Sequence, residues 1–240
     1  MPRTTLSLIE VIQKQRLQVQ ADPDRDARFR ALQTWQVQRL SRTYADLLQQ
    51  PRYRSGLEFF MQDVYGPHDF SQRDRELRKV IGPWEGMMPA RALATIQSAL
   101  ELEALTQSLD LSVLEVLGAK APTEQNYADA YRRANRRADR ERQIALIVNA
   151  GDALEHLVRM SWVRTALRLA RTPARLAGVQ ALQDFLERGC AAFATLRSPR
   201  DLLSAIEKRE TQIMEQLFAG SPAPFDVADS RQRRPRAERS

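Results

Sequence analysis

Apolar side chains recur every three or four residues along almost the whole chain, and this spacing restricts the fold more than any other feature. Leu6, Ile9 and Ile12, for example, fall on one stripe of a helix. No segment shows the two-residue alternation of a half-buried strand, and no fixed repeat period is present. Ala, Leu, Gln, Glu and Arg are abundant, and only 9 residues are Gly. The sequence therefore predicts an all-α protein.

Proline and glycine mark where the helices begin and end. Asp22 and Pro23 form a cap and first-turn pair, and Ser198 with Pro199 repeats that signal near the C-terminus. The longest helical stretch, about residues 123–171, begins after the cap residue Thr123 and contains Gly151, where we expect a bend or a split. Pro173 is expected to begin the helix that follows, to about Arg197.

One domain accounts for most of the chain. With 43% hydrophobic residues, residues 1–219 can form a single multi-helix bundle around a core. Residues 220–240 are Pro-rich, polar and aperiodic, which predicts a disordered basic C-terminal tail. In the last helix Leu202, Ile206, Ile213 and Leu217 share one face, and this seam offers a surface for a homodimer.

The charge and the single cysteine indicate the compartment. The net charge is +7, but only four of the 37 basic residues are lysines, so the arginine excess resembles a genome-wide codon habit as much as a binding device. Cys190 stands alone, which excludes an internal disulfide. We find no secretory pattern and no apolar run long enough for a bilayer. We expect a bacterial cytoplasmic protein with no membrane partner.

No motif predicts a cofactor, and a metal centre is an alternative with weak support. Glycine-rich phosphate loops and Cys-x-x-Cys pairs are missing from the sequence. Asp152 and His156 are four residues apart and share a helix face, as ligands in di-iron bundles do, with Glu58 and Glu101 as candidate partners. However, those bundles use Glu-x-x-His, whereas Glu155 is adjacent to the histidine. A surface or hydrogen-bonded histidine is the better interpretation.

A cluster of arginines raises the possibility of nucleic-acid binding. On one continuous helix, Arg132, Arg133, Arg136, Arg137 and Arg140 would share a broad arc that could follow a phosphate backbone. Acidic residues three and four positions away can neutralise that arc. A solvated helix surface is therefore the favoured interpretation, and nucleic acid is an unlikely partner.

The run FFMQDVYGPHDFSQRD, residues 59–74, joins two helices and holds the only catalytic candidates. Gly66 in a left-handed conformation, followed by Pro67, would end the first helix. Asp69 or Ser71 can cap the second. A turn does not require His68 or Asp63, so these two residues, with Asp69, are weak acid–base or ligand candidates.

The same run carries a resemblance. Its pattern F-F-x-x-D-x-Y-G-P-x-D-F-x-x-R-D resembles a signature of an uncharacterised family of bacterial all-helical proteins of about this length. The resemblance extends less specifically over residues 1–215. It implies a helical fold, and it implies no activity and no catalytic residues.

Together these observations favour a non-enzymatic helical protein that acts through protein contacts, as an adaptor, a regulator or a homodimer. The first alternative is a metal-dependent, di-iron-like oxidase or another small-molecule enzyme. The second is a nucleic-acid binder that uses the arginine arc.

Overall fold

The fold is helical throughout, as predicted. A computed structural model describes residues 4–84, 90–196 and 198–227, and within those ranges it contains eleven α-helices, one π-helical turn and no strand. The helices are α1 Thr5–Gln20, α2 Pro23–Thr43, α3 Ala45–Leu48, α4 Pro51–Phe59, α5 Ser71–Trp84, α6 Ala90–Leu117, α7 Glu124–Ala134, α8 Arg137–Arg159, α9 Ser161–Leu176, α10 Gln180–Ala194 and α11 Pro199–Ala219. The π-helical turn, Phe60–Val64, extends α4.

Several helix starts lie where capping chemistry predicts them. The Asp22 carboxylate accepts hydrogen bonds from the backbone N–H groups of Asp24 and Arg25 at 3.0 and 3.2 Å, and Pro23 follows it in the first turn of α2. The Thr123 hydroxyl accepts from the N–H of Asn126 at 3.2 Å at the start of α7. Each cap satisfies backbone donors that have no partner inside the helix.

The stretch expected to form one helix over residues 123–171 is three helices. Asn135 adopts a left-handed conformation with φ 51° and ends α7, and extended backbone at Met160 separates α8 from α9. The helix is not split at Gly151. This glycine lies inside α8, where an added Cβ would come within 2.4 Å of the Leu203 side chain, so it allows a close approach of α11.

The helix expected to begin at Pro173 begins later. Pro173 lies inside α9, which continues to Leu176. The chain then turns at Gly178, whose φ is +67°, and α10 starts at Gln180. A left-handed glycine, rather than the proline, therefore separates the two helices.

Three buried clusters form the core. The first joins α2, α6, α7, α8 and α11 around Leu32, Val113, Tyr127, Ile144 and Ile213. The second joins α2 and α4 to α11 around Tyr44, Tyr53, Leu57 and Leu202. The third joins α1, α5 and α6 around Ile9, Ile12, Ile81 and Leu100. Burial of these side chains is the main force that holds the helices together.

The proposed dimer seam on α11 is buried inside the chain's own core. Leu202 belongs to the second cluster, Ile213 and Leu217 belong to the first, and Ile206 packs against the second. The expectation that this seam is a homodimer surface is therefore wrong. Its period was recognised correctly, but its partners are α2, α4, α7 and α8 of the same molecule.

Ordered packing continues past residue 219. Phe225 and Val227, which the sequence assigns to the tail, pack against the first cluster. The Phe225 ring lies 5.8 Å from Trp35 and 6.1 Å from Tyr127, measured between centroids. The rest of the predicted tail, residues 228–240, lies outside the described residues.

Candidate functional site

Close backbone atoms explain why a glycine occupies position 66 in the turn. Positive φ angles occur among the described glycines at Gly118, Gly178 and Gly220, so the left-handed conformation expected at Gly66 is wrong. A Cβ on Gly66 would lie 2.6 Å from the carbonyl oxygen of Gln62 and 3.0 Å from that of Met61. The chain folds back against the π-helical turn, and only glycine fits there.

The three catalytic candidates of the run have separate structural contacts. Asp63 accepts a hydrogen bond from Nε of Arg188, on α10, at 2.8 Å. Asp69 accepts from the N–H of Ser71 at 2.9 Å, and bonding to Ser71 lowers the pKa of its carboxyl. The exposed His68 ring lies edge-on to Phe70, with 6.1 Å between centroids. These contacts do not form an acid–base pair.

A buried ionic cluster lies beside the run and joins three helices. Arg16 Nε of α1 lies 2.8 Å from Asp74 Oδ2, and Arg73 Nη2 of α5 lies 2.8 Å from Glu103 Oε1 of α6. Arg16 and Arg73 both stack on the Phe70 ring, at 5.3 and 4.5 Å. Burial, with the nearby Glu103, raises the pKa of Asp74. The ionic groups are paired with each other, so the cluster stabilises the packing of these helices.

The metal-ligand candidates are not brought together. Glu101 pairs with Arg142, and Glu58 is exposed. Asp152 Oδ2 lies 3.9 Å from Nδ1 of His156, whose ring is exposed and lines a shallow depression beside the start of α11. His68 lines a different cleft, between α1 and α2. In the described parts of the chain, no group of three or more His, Cys, Asp or Glu side chains could hold a metal ion.

The arginines do not form the single arc expected of one helix. The break at Asn135 places Arg132 and Arg133 on α7 and Arg137 and Arg140 on α8. Arg140 is buried, with its guanidinium 4.5 Å above a tyrosine ring. The others pair with acidic neighbours: Arg132 and Arg133 with Asp129, Arg136 with Asp139, and Arg137 with Glu141. This is the self-neutralised surface that the sequence favours.

Sequence reasoning missed a buried polar network centred on Asp110. The amide of Gln36 donates to Asp110 Oδ1 at 2.8 Å, and the hydroxyl of Tyr65 donates to Oδ2 at 2.9 Å. The hydroxyl of Tyr127 donates to Gln36 Oε1 at 3.1 Å. Burial raises the pKa of Asp110, although Arg140 and these hydrogen bonds act in the opposite direction. The network is closed to solvent and fixes α2, α6 and α7 against the run.

A second buried pair lies nearby, between α2 and α11. Arg39 Nη1 donates to both carboxylate oxygens of Glu210, at 2.7 and 3.0 Å. The hydroxyl of Tyr44 donates to the same carboxylate at 2.8 Å. Gln36 and Arg39 are three residues apart and share a face of α2, which is a sequence signal for polar groups on that face but does not identify their partners.

Exposed apolar side chains concentrate on α9. Six large ones are exposed in the described residues: Leu17, Met160, Trp162, Leu169, Leu176 and Leu186. Four of the six lie in or next to α9. The exposed fractions of Trp162, Leu169 and Leu176 are 59%, 72% and 83%. With the exposed Ala166 and Pro173, these three residues form a line along the helix, here named the outer stripe.

The opposite side of α9 packs on the molecule. Val163 and Ala174 are buried. The amide of Gln183, on α10, donates to the carbonyl oxygen of Leu167 at 2.6 Å. Arg171 donates two hydrogen bonds to Glu187, both 2.7 Å long, and thereby lowers the pKa of Glu187 to about 2. These contacts orient α9 so that the outer stripe faces solvent.

A basic row lies on the side of α9 away from the outer stripe. Arg164, Arg168 and Arg175 are exposed, and Thr165 and Thr172 separate them from the apolar line. The heptad spacing of the stripe stands out only because α9 is a separate helix and not a continuation of α8. Among the described residues, no helix is long and apolar enough to cross a bilayer.

Comparison with known proteins identifies the family and nothing more specific. A family model described as a domain of unknown function (DUF8198) matches residues 15–224. This agrees with the predicted resemblance at the level of an uncharacterised family. No curated protein and no solved structure matches the chain.

Proposed function

We propose that this chain, which belongs to the DUF8198 family of unknown function, acts through protein–protein contacts as an adaptor or regulatory protein. The observation that carries the proposal is the outer stripe, a line of exposed apolar side chains on a helix anchored by its other side. The proposal keeps the bacterial cytoplasmic setting that the sequence predicts, without a membrane or nucleic-acid partner.

Burial of the outer stripe against a partner would contribute substantially to the free energy of binding. Moving one leucine side chain from water into an apolar contact stabilises a complex by about 1.5–3 kcal/mol. Leu169 and Leu176 are more than two-thirds exposed, and Trp162 adds a large aromatic surface. Contiguous apolar surface of this kind marks interaction sites on proteins, whereas isolated exposed residues such as Leu17 are ordinary.

The alternative functions have less support from the geometry. Asp63, Asp69 and Glu101 are engaged in structural contacts, and the arginines of α7 and α8 are largely paired with acidic neighbours. The two histidines line separate depressions. No described cluster therefore favours an enzyme or a nucleic-acid binder over a protein-contact role.

Site-specific photo-crosslinking in living cells tests the proposal. A photoreactive amino acid replaces Leu169 or Leu176, and the matched control replaces Leu17, a similarly exposed leucine on α1. We expect discrete protein adducts from the two α9 positions and none from position 17. The same weak smear from all three positions, without a discrete adduct, would contradict the proposal.

A further inference from the structure

We infer that residues 221–227 form a displaceable strap, and that lifting the strap exposes a binding surface for a proline–aromatic segment of a partner protein. The strap follows α11, and its Phe225 ring lies against Trp35 of α2 and Tyr127 of α7, here named the aromatic pair. This surface is separate from the outer stripe, so the inference goes beyond the proposed function. Three observations carry it: the attachment of the strap, the support of the aromatic pair, and the sequence of the strap.

Apolar contacts hold the strap on α2 and α7. Pro224 is buried, and Phe225 and Val227 are partly buried against the first core cluster. Among the described residues, no hydrogen bond or ion pair joins the strap to either helix. Its own hydrogen bonds link Ser221 to Gln216 of α11, Ala223 to Ser221, Asp226 to Ala223 and Val227 to Phe225. Lifting the strap therefore exposes apolar surface and breaks no hydrogen bond to the helices beneath it.

Gly220 provides a hinge directly before the strap. Its φ of +72° lies in the left-handed region, and glycine changes backbone conformation with less steric restriction than any other residue. Lifting the strap exposes the apolar surface of only three residues. The closed and open states therefore differ by a small free energy, and we expect an open population on the order of a few per cent.

The aromatic pair keeps its geometry without the strap. The Trp35 and Tyr127 rings lie 4.6 Å apart between centroids. The hydroxyl of Tyr127 donates to Gln36 at 3.1 Å, and its ring lies 5.8 Å from that of Tyr131. All of these contacts come from α2 and α7. The pair is therefore a preformed surface, and a preformed surface loses little conformational entropy when a ligand binds.

The sequence of the strap indicates the chemistry of a competing segment. It reads Ser-Pro-Ala-Pro-Phe-Asp-Val. Proline-rich segments dock on aromatic surfaces because proline restricts the backbone and so reduces the entropy lost on binding. A partner segment with proline directly before an aromatic residue would reproduce the contacts of Pro224 and Phe225.

A partner protein fits this surface better than a second copy of the chain. The tethered strap acts at an effective concentration on the order of millimolar, which the same sequence on another copy does not reach at ordinary protein concentrations. A segment that displaces the strap therefore needs contacts beyond those of residues 221–227. The family match is consistent with exchange of the covering segment, since it includes the aromatic pair and ends at residue 224, before Phe225.

The test is a titration of the full-length protein with the synthetic peptide SPAPFDV, followed by NMR of the Trp35 indole N–H. Phe225→Ala removes the ring that covers the aromatic pair. We expect this variant to bind the peptide with a Kd on the order of 0.1 mM, and wild type to bind it at least tenfold more weakly because its own strap competes. The peptide with Ala in place of Phe should not shift the Trp35 signal in either protein.

Matched variants separate competition from general loosening of the core. Phe218→Ala removes another partly buried ring from the same cluster and leaves the strap in place, so it should bind the peptide as weakly as wild type does. Phe225→Leu keeps part of the apolar contact, and its affinity for the peptide should lie between those of wild type and Phe225→Ala. Circular dichroism of each variant confirms that the chain is folded.

Three outcomes would overturn the inference. If the peptide shifts the Trp35 signal in neither Phe225 variant, the aromatic pair is not a binding surface. If wild type and Phe225→Ala bind the peptide equally, the strap does not compete. A concentration-dependent dimer of wild type that Phe225→Ala abolishes would identify the strap of a second copy as the occupant. Crosslinking from positions 169 and 176 reports on a different helix, so each of these results leaves the proposed function standing.

Discussion

Asp110 lies in the core with both carboxylate oxygens in use. Gln36 and Tyr65 each donate to one oxygen, and the residue is 2% exposed. Removing a charge from water is costly, and burial therefore raises the pKa of this carboxyl above its ordinary value of 3.8. The folded state thus binds the Asp110 proton more tightly than the unfolded chain does. The contribution of Asp110 to stability is largest at low pH and is lost as the pH rises through its raised pKa.

Replacing Asp110 with Asn should remove this pH dependence. The amide keeps an acceptor for Gln36, and the Tyr65 hydroxyl can rotate to accept from the new NH₂ group. We expect the stability of Asp110→Asn relative to wild type to increase as the pH rises from about 4 to about 8, since only wild type must ionise a buried group. Urea denaturation at a series of pH values measures the free energy of unfolding of both proteins.

Asp46 provides a control, because its contribution to stability should depend on pH in the opposite direction. Arg209 donates two hydrogen bonds of 2.7 Å to it, and this pairing lowers the pKa of Asp46. Its contribution to stability is present above the ordinary pKa and is lost as the pH falls. Asp46→Asn should therefore weaken relative to wild type as the pH rises from about 3 to about 6. If both variants follow the same slope, burial is not the cause at Asp110.

Gly66 offers a residue-scale test of the turn in the run. A Cβ at this position would press on two backbone carbonyl oxygens, which cannot rotate away as a side chain can. We expect Gly66→Ala to lower the free energy of unfolding by about 1–3 kcal/mol in urea denaturation. Gly82 is the matched control, because a Cβ there meets nothing within 4 Å. Gly82→Ala should be neutral, or stabilising by up to about 1 kcal/mol, because it lies inside α5.

Sequence patterns predict which aromatic residues are buried better than which polar residues are. Tyr127 and Tyr131 lie four residues apart on one helix face, and both are buried. Asp110 and Gln36 are 74 residues apart in sequence, and nothing near either residue reveals that they meet. Local spacing reports which way a side chain points, whereas the partner that makes a buried polar group tolerable comes from the tertiary fold.

At the scale of elements, a carboxylate on α5 supports the start of α10. Glu76 is buried and accepts a hydrogen bond from the N–H of Leu182 at 2.7 Å, in the first turn of α10. Gln72 donates to its other oxygen at 2.9 Å. The N-terminal N–H groups of a helix lack partners inside that helix, and negative charge is favourable there. The carboxylate thus connects the α9–α10 hairpin to the rest of the bundle.

Removing this carboxylate should loosen the hairpin. We expect Glu76→Ala to leave a buried N–H without an acceptor and to lower the free energy of unfolding by about 1–3 kcal/mol. Amide hydrogen exchange should accelerate first in α10 and α9. Glu58→Ala changes the same residue type at an exposed position on α4 and should leave exchange in both helices unchanged. If amide exchange in Glu76→Ala accelerates uniformly in all helices, the effect of the carboxylate is not confined to the α9–α10 hairpin.

Helix starts are easier to predict than helix breaks. Pro23, Pro51 and Pro199 each occupy the first turn of a helix because proline lacks only an N–H that has no partner there. The breaks at Asn135 and Met160 carry weaker signals. The left-handed cap at Asn135 is a position where glycine is far more common than asparagine, and the extended backbone at Met160 is open to any residue type. The outer stripe was missed for this reason. Its heptad spacing becomes apparent only when α9 is separated from α8.

At the scale of the molecule, polar networks connect the hydrophobic clusters. The Asp110 network lies among α2, α6, α7 and the run, Arg39 with Glu210 joins α2 to α11, and Arg16 with Asp74 joins α1 to α5. Each network joins helices that are distant in sequence. Removing one member of such a network leaves a buried charge without its partner. In contrast, α9 packs on the molecule with one side and exposes the apolar outer stripe on another.

Packing of residues 220–227 against the core can be tested on the whole molecule. Gly220 ends α11 in a left-handed conformation, and the N–H of Ser221 donates to the carbonyl oxygen of Gln216 at 2.9 Å. This turn directs Phe225 onto Trp35, while composition alone places the boundary at residue 219. We expect a chain of residues 1–219 to be about 2 kcal/mol less stable than a chain of residues 1–227, since it loses a partly buried aromatic ring.

Comparing these two truncated chains isolates the contribution of residues 220–227, because both lack everything beyond them. Urea denaturation followed by circular dichroism gives the two free energies of unfolding, and Phe225→Ala in the longer chain should fall between them. Phe225 lies over the same cluster that holds the ends of α7 and α11, so its loss should also expose Trp35 and shift its fluorescence to longer wavelength. Equal stability of the two chains would support the boundary at residue 219 and would show that Phe225 contributes nothing to the core.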